Sequence, residues 1–274
     1  MPLPQNKPSI GVLHPKKSDK NYQLKKWAPS KHLTTTIELF WHVQWCIDTQ
    51  APHLQQNIPD PCVHLCFEQY NITLVGPVSK CYQRELSETG DIFAIKFRPG
   101  GFKILSNNPI ADLKDQSVDI TDFEMDYSVK ESLIEISQNK SLRDRVTLSE
   151  QFLLSLQPNK NSLHHKRITS VNSVIDVIKN DQSINNVHQL CQIVNMSIRN
   201  LQRLFKEFIG LSPKWVIRKF RVQDFLTRSQ EIETQKINWA ELANELGYFD
   251  QAHFIKDIKA MIGQTPHEYA HQNH

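Results

Sequence analysis

One pattern occurs twice in the last third of this 274-residue chain. Residues 186–213 read NVHQLCQIVNMSIRNLQRLFKEFIGLSP, and residues 238–266 read NWAELANELGYFDQAHFIKDIKAMIGQTP. The first halves superpose at an offset of 52, with Asn186 on Asn238, Leu190 on Leu242 and Cys191 on Ala243. The second halves superpose at 53, with Leu201 on Phe254, Phe205 on Ile258, Gly210 on Gly263 and Pro213 on Pro266. One residue is therefore inserted in the turn of the second copy. Asn186 and Asn238 suit an N-cap, with Gln189 and Glu241 placed as capping-box partners. Ser197 and Asp250 suit the cap of a second helix. Gly210 and Gly263 fit the left-handed position that ends it, and Pro213 and Pro266 the first turn of the next.

Two short helices joined by a tight turn, with a small residue where they cross, form a helix-turn-helix. The buried stripe of each second helix is expected at Leu201, Phe205 and Phe208, and at Phe254, Ile258 and Met261. That leaves Arg199, Gln202, Arg203 and Lys206 outward in the first copy, and Gln251, Ala252, Ile255, Lys256 and Lys259 in the second. Arg suits guanine and Gln suits adenine in a major groove; Ala252 and Ile255 suit thymine methyl groups. Lys256 suits a phosphate. The intervening segment, Pro213 to about Arg228, reads as an amphipathic rod of roughly 24 Å. Such a rod would hold two reading helices near one DNA turn, about 34 Å, apart.

Charge is distributed unevenly along the chain. Residues 1–160 hold 18 Lys and Arg against 18 Asp and Glu, whereas residues 161–274 hold 14 against 11. Between 198 and 228, eight basic residues (Arg199, Arg203, Lys206, Lys214, Arg218, Lys219, Arg221, Arg228) face two acidic ones, Glu207 and Asp224. A cluster of this kind is either an electrostatic footprint or a solvated helix face.

The N-terminal half has another texture. Residues 1–36 read as an irregular arm. Segments 39–47, 62–68, 72–76, 81–86 and 91–97 are short, aromatic or β-branched, and separated by turn signals such as Pro59-Asp60-Pro61 and Gly76-Pro77. They predict a small antiparallel barrel or sandwich. FRPGGF (97–102) reads as a tight turn leaving the sheet. Val129, Leu133, Ile136, Val146, Leu153 and Leu156 predict helices over 126–156 with a break near Asn139. That stripe suits either dimerisation or packing on the sheet. QPNKNS (157–162) reads as a linker, giving a regulatory domain at 37–160 and a helical domain at 161–274.

Residues 168–270 resemble the DNA-binding domain of the AraC/XylS family of bacterial transcription regulators. The resemblance rests on LANELGYFDQAHFIKDIKAMIGQTPHEY (242–269) and SIRNLQRLFKEFIGLSP (197–213). Asn195 replaces the usual turn glycine, which Asn tolerates because it reaches left-handed backbone; Ile258 replaces a common phenylalanine. The resemblance implies a two-domain α+β chain: an antiparallel β-rich, cupin-like domain with helices, then an all-α domain with two helix-turn-helix motifs. It implies base reading by Arg199, Gln202, Arg203, Gln251, Ala252, Ile255 and Lys256. Residues 75–105 resemble a β-rich regulatory domain of one subgroup. Double-stranded promoter DNA, RNA polymerase, a small-molecule effector and a second copy of the chain are the partners implied.

Other chemistry has weaker support. Cys62, His64 and Cys66 alternate along a strand, so they would share one face for a metal or redox sensor. Burial as ordinary core residues explains them as well. No P-loop, dinucleotide fingerprint or nucleophile elbow is present, so neither an enzyme nor a cofactor is expected. Five cysteines, no apolar N-terminal run and no apolar stretch of membrane-spanning length point to a cytoplasmic protein.

Overall fold

The computed structural model describes residues 11–18, 20–69, 71–231 and 237–273. Among the described residues a four-residue helix, α1 (Pro15–Ser18), precedes eight strands: β1 (Tyr22–Trp27), β2 (Ile37–Ile47), β3 (His53–Asn57), β4 (His64–Glu68), β5 (Asn71–Val75), β6 (Tyr82–Leu86), β7 (Glu88–Phe97) and β8 (Ser117–Asp119). Six form an antiparallel sheet in the order β1-β2-β7-β4-β5-β8, and β3 pairs with β6 in a second layer. Part of the expected irregular arm is thus sheet: Tyr22–Trp27 runs along β2, with Tyr22 opposite Trp45 and Trp27 opposite Phe40. The polar run YQLKKW hid this strand, because only its two end residues, Tyr22 and Trp27, are buried. Strands β3 and β8 are likewise polar, and their sequences lack the apolar alternation that marks the other strands.

The sheet has an apolar cluster on each face. Phe40, Leu65, Phe67, Leu74, Phe93 and Phe97 pack under α2 (Tyr127–Gln138) and α3 (Leu142–Ser155), which contribute Val129, Leu133, Ile136, Val146 and Leu153. The helical stripe expected to suit dimerisation or packing therefore packs on the sheet within one chain. On the opposite face Tyr22, Trp45, Ile92 and Ala94 meet Leu86 of the second layer.

FRPGGF leaves β7 as a turn. Two of its amides are occupied: Arg98 N–H donates to the Thr36 carbonyl and Gly101 N–H to the Arg98 carbonyl, at 2.9 and 2.7 Å. A Cβ on Gly101 would stand 2.0 Å from the Thr36 carbonyl oxygen, so only glycine fits there.

The helical domain opens with α4 (Leu163–Asn180), which Ser162, the last residue of the expected linker, caps by accepting from His165 N–H. Then follow α5 (Val187–Ile193), α6 (Ile198–Phe208), α7 (Pro213–Glu231), α8 (Trp239–Glu245), α9 (Gln251–Ile262) and α10 (Pro266–Asn273). Helix α7 spans 19 residues, about 28 Å, and runs through both halves of the domain. Its Val216 and Ile217 join the core of α4, α5 and α6, while Val222, Phe225 and Leu226 join that of α8, α9 and α10.

Candidate nucleic-acid interface

The two copies adopt the turn plan their sequences predict. Asn186 accepts from Gln189 N–H at 3.0 Å and Asn238 from Glu241 N–H at 3.3 Å. Gln189 closes its side of the box one residue early, accepting from Asn185 N–H rather than Asn186 N–H. Asn195 and Gly247 occupy matching turn positions with φ of 49° and 76°. Ser197 and Asp250 cap α6 and α9 by accepting from Asn200 N–H and His253 N–H. Gly210 and Gly263, at φ 80° and 79°, terminate the helices.

Packing then decides which faces stay free. Leu201, Leu204, Phe205 and Phe208 bury one side of α6. Arg199, Gln202, Arg203 and Lys206 remain exposed on the other. On α9, Phe254, Ile258, Met261 and Ile262 are buried, and Gln251, Ala252, Lys256 and Lys259 are exposed. Ile255 departs from expectation: it is half-buried and packs against the second core, so less of it faces outward.

The basic cluster divides in two. Arg199, Arg203, Lys206 and Lys214 are exposed, but the four basic residues farther along α7 are engaged within the fold. Arg218 clasps Asp257 of α9 through two contacts, Nε–Oδ2 at 2.8 Å and Nη2–Oδ1 at 2.7 Å. Arg221 donates to the Asn185 carbonyl and lies 5.2 Å from the Tyr248 ring. Arg228 pairs with Asp224 and Glu245. Lys219 is buried and donates to Gln223. These side chains brace α7, so the solvent-facing footprint is smaller than the charge count implies.

The domain is tied to the sheet at named points. Arg98 Nη2 donates to both carboxylate oxygens of Asp176 on α4, at 2.8 and 3.0 Å, and Asn172 donates to the Thr35 carbonyl at 2.6 Å. Helix α6 packs on a 3₁₀ turn at Ile110–Leu113. Trp215 of α7 donates to the Ser79 carbonyl at 3.1 Å. Beside it, Lys96 bridges Asp60 at 2.6 Å and Glu38 at 3.1 Å. Burial opposes the Asp60 charge, but Lys96 and Lys219 hold that carboxyl well below the usual range. Burial holds Lys219 below the ordinary lysine range, with Asp60 opposing.

Cys62, His64 and Cys66 do not gather. Cys62 lies outside β4, which begins at His64; His64 and Cys66 alternate along it roughly 7 Å apart, and each of the three has its own neighbour. Cys62 donates to Glu38, His64 accepts from the Trp41 indole, and Cys66 packs in the cluster around Trp45. Burial pushes the Cys66 thiol up to about 12 and the His64 imidazole down to about 4. Among the described residues, no group of three or more His, Cys, Asp or Glu is placed to hold a metal. Nor is any helix there long and apolar enough to cross a membrane.

Residues 190–272 match the family model described as "Helix-turn-helix domain", and residues 25–119 match "Domain of unknown function (DUF6597)". An "Uncharacterized HTH-type transcriptional regulator" of Haemophilus influenzae is 30% identical over 110 residues. That alignment spans 39% of this chain and 35% of the relative, about a third of the relative's length. A structure of ToxT from Vibrio cholerae aligns over 92% of this chain and 98% of its own, with 10% identity and a TM-score of 0.40. A second, with (E)-4-(8-methylnaphthalen-1-yl)but-3-enoic acid bound, aligns over 93% and 100%, with 11% identity and the same TM-score of 0.40.

Proposed function

From the two helix-turn-helix motifs we propose that the chain is a sequence-specific transcription regulator of the AraC/XylS type whose α6 and α9 read two successive major grooves. The supporting observation is the matched exposure of the two helices. Each buries one stripe against α7 and leaves its polar stripe free. Arg199, Gln202 and Arg203 are the base-reading set of α6, and Lys206 contacts phosphate. Gln251, Ala252 and the free part of Ile255 read bases from α9, and Lys256 contacts phosphate. The division of labour follows from chemistry: bidentate Arg and Gln discriminate bases, and point charges do not.

The N-terminal domain is the proposed control element, binding a small-molecule effector. Its support is the seam with α4, α6 and α7, through which a rearrangement at Arg98, Ile110 or Asp60 reaches the reading helices and their strut directly. A promoter-bound regulator of this kind acts on RNA polymerase, in the cytoplasm, without enzymatic chemistry.

The test is selection from random duplexes with the full chain. Enrichment of a two-part site supports the reading, and affinity for that site should fall steeply with salt as Lys and Arg displace counterions. Failure to enrich any sequence, with and without cell extract as an effector source, rejects it.

A further inference from the structure

The turn of the second motif is one residue longer than the turn of the first, and the hydrogen bonds identify that residue. Met196 N–H donates to the Cys191 carbonyl at 3.1 Å, and Tyr248 N–H to the Ala243 carbonyl at 2.9 Å. These matched bonds keep the offset of 52, while the N-caps Ser197 and Asp250 stand 53 apart. The residue between Tyr248 and Asp250 is Phe249, which has no counterpart in the first copy. Phe249 is 95% exposed, more than any other large apolar side chain among the described residues.

The fold has no internal use for that ring. The residue before an N-cap often packs on the fourth residue of the helix as a hydrophobic staple. Here the fourth residue is Phe254, fully buried, and the ring beside it is Tyr248, with centroids 5.4 Å apart. Tyr248 is only 3% exposed. The staple is filled one position early, and the inserted phenylalanine stands in solvent at the N-terminal end of α9. In a helix-turn-helix that end meets the base edges. Its exposed neighbours there are Gln251 and Ala252, so the second reading face is more apolar than the first.

We propose that Phe249 is a specificity residue of the second motif, its ring contacting the C5-methyl groups of thymine in the second major groove. An aromatic ring reads thymine in this way because the methyl is the apolar feature of the groove. The assignment rests on the two-groove reading proposed above.

The experiment uses the full chain on its selected site. Each thymine of the second half-site is replaced in turn by deoxyuridine, which removes only the methyl group. Wild type should lose about fourfold in affinity at one or two of these thymines. Phe249→Ala should bind the intact site about five- to twentyfold more weakly and be indifferent to the same methyl groups. Phe249→Leu should retain part of the sensitivity, and Arg203→Ala should retain all of it. Unchanged binding by Phe249→Ala, or undiminished methyl sensitivity, overturns the proposal. So does normal DNA binding combined with lost transcription in a purified polymerase assay, which would assign the ring to a protein contact. If wild type enriches no sequence, the two-groove reading itself fails, a result distinct from all of these.

Discussion

The first helix-turn-helix leans on the sheet domain, and the second is anchored by a charge pair and by the chain's N-terminal segment. Helix α6 packs against the turn at Ile110–Leu113, and its terminal Gly210 lies so close that a Cβ would stand 2.8 Å from the Ile110 carbonyl oxygen. Helix α9 makes its own strut contact through Arg218 and Asp257. Its core also encloses Leu13, whose carbonyl accepts from the Tyr269 hydroxyl at 2.8 Å. The equivalent of Asp257 in the first copy is Leu204, an apolar contact. At this position the same backbone plan is held by an apolar contact in the first copy and by an ion pair with α7 in the second. The copies also differ outside: α6 exposes Arg199, Arg203 and Lys206, whereas α9 exposes Lys256 and Lys259 beside Gln251 and Ala252.

Removing the ion pair should separate the copies most sharply. Asp257→Ala leaves Arg218 without its carboxylate; because the arginine keeps some solvent contact, the cost should be about 2–4 kcal/mol of stability. Denaturant unfolding would measure it, and a loss under about 0.5 kcal/mol would mean that packing suffices at this position, as it does at Leu204. Next in size, Arg203→Ala should cost about 1–3 kcal/mol on the selected site and little on random DNA. Equal losses on both would reduce Arg203 to a phosphate contact and erase the difference in reading chemistry.

The two glycines give a smaller, like-for-like comparison. Both have φ near 80°, and a Cβ on Gly263 would meet nothing within 4 Å. Gly263→Ala should cost about 1–2 kcal/mol from left-handed backbone alone. Gly210→Ala should exceed it by about 1 kcal/mol or more, because the added methyl must push the Ile110 turn aside. Equal costs in thermal or denaturant unfolding would remove the interdomain contact from the account. Smallest of all, Lys206→Ala should weaken cognate and random DNA alike and lower the salt slope of binding by about 1.

The duplicated motif was legible because local chemistry specifies it. Caps, left-handed turn residues and a three-to-four-residue apolar stripe each act within one or two turns of helix. Strand Tyr22–Trp27 was not legible, since its pairing with β2 comes from distant residues rather than from its own pattern. The same reason explains the basic cluster. Arg218 and Lys219 look like surface cations until α9 and the Asp60–Lys96 pair are brought against α7. Phe249 lies between these cases: the shift in offset showed that a residue was inserted, but only the packed turn showed which one and that it stood free.

Footprinting of the full chain on a selected duplex tests the central claim most directly. Two protected major-groove segments, centred about 10 base pairs apart on one face of the DNA, are the predicted result. Protection of one segment, unchanged when Gln251 and Lys256 are replaced by alanine, would contradict the reading of two grooves by one chain.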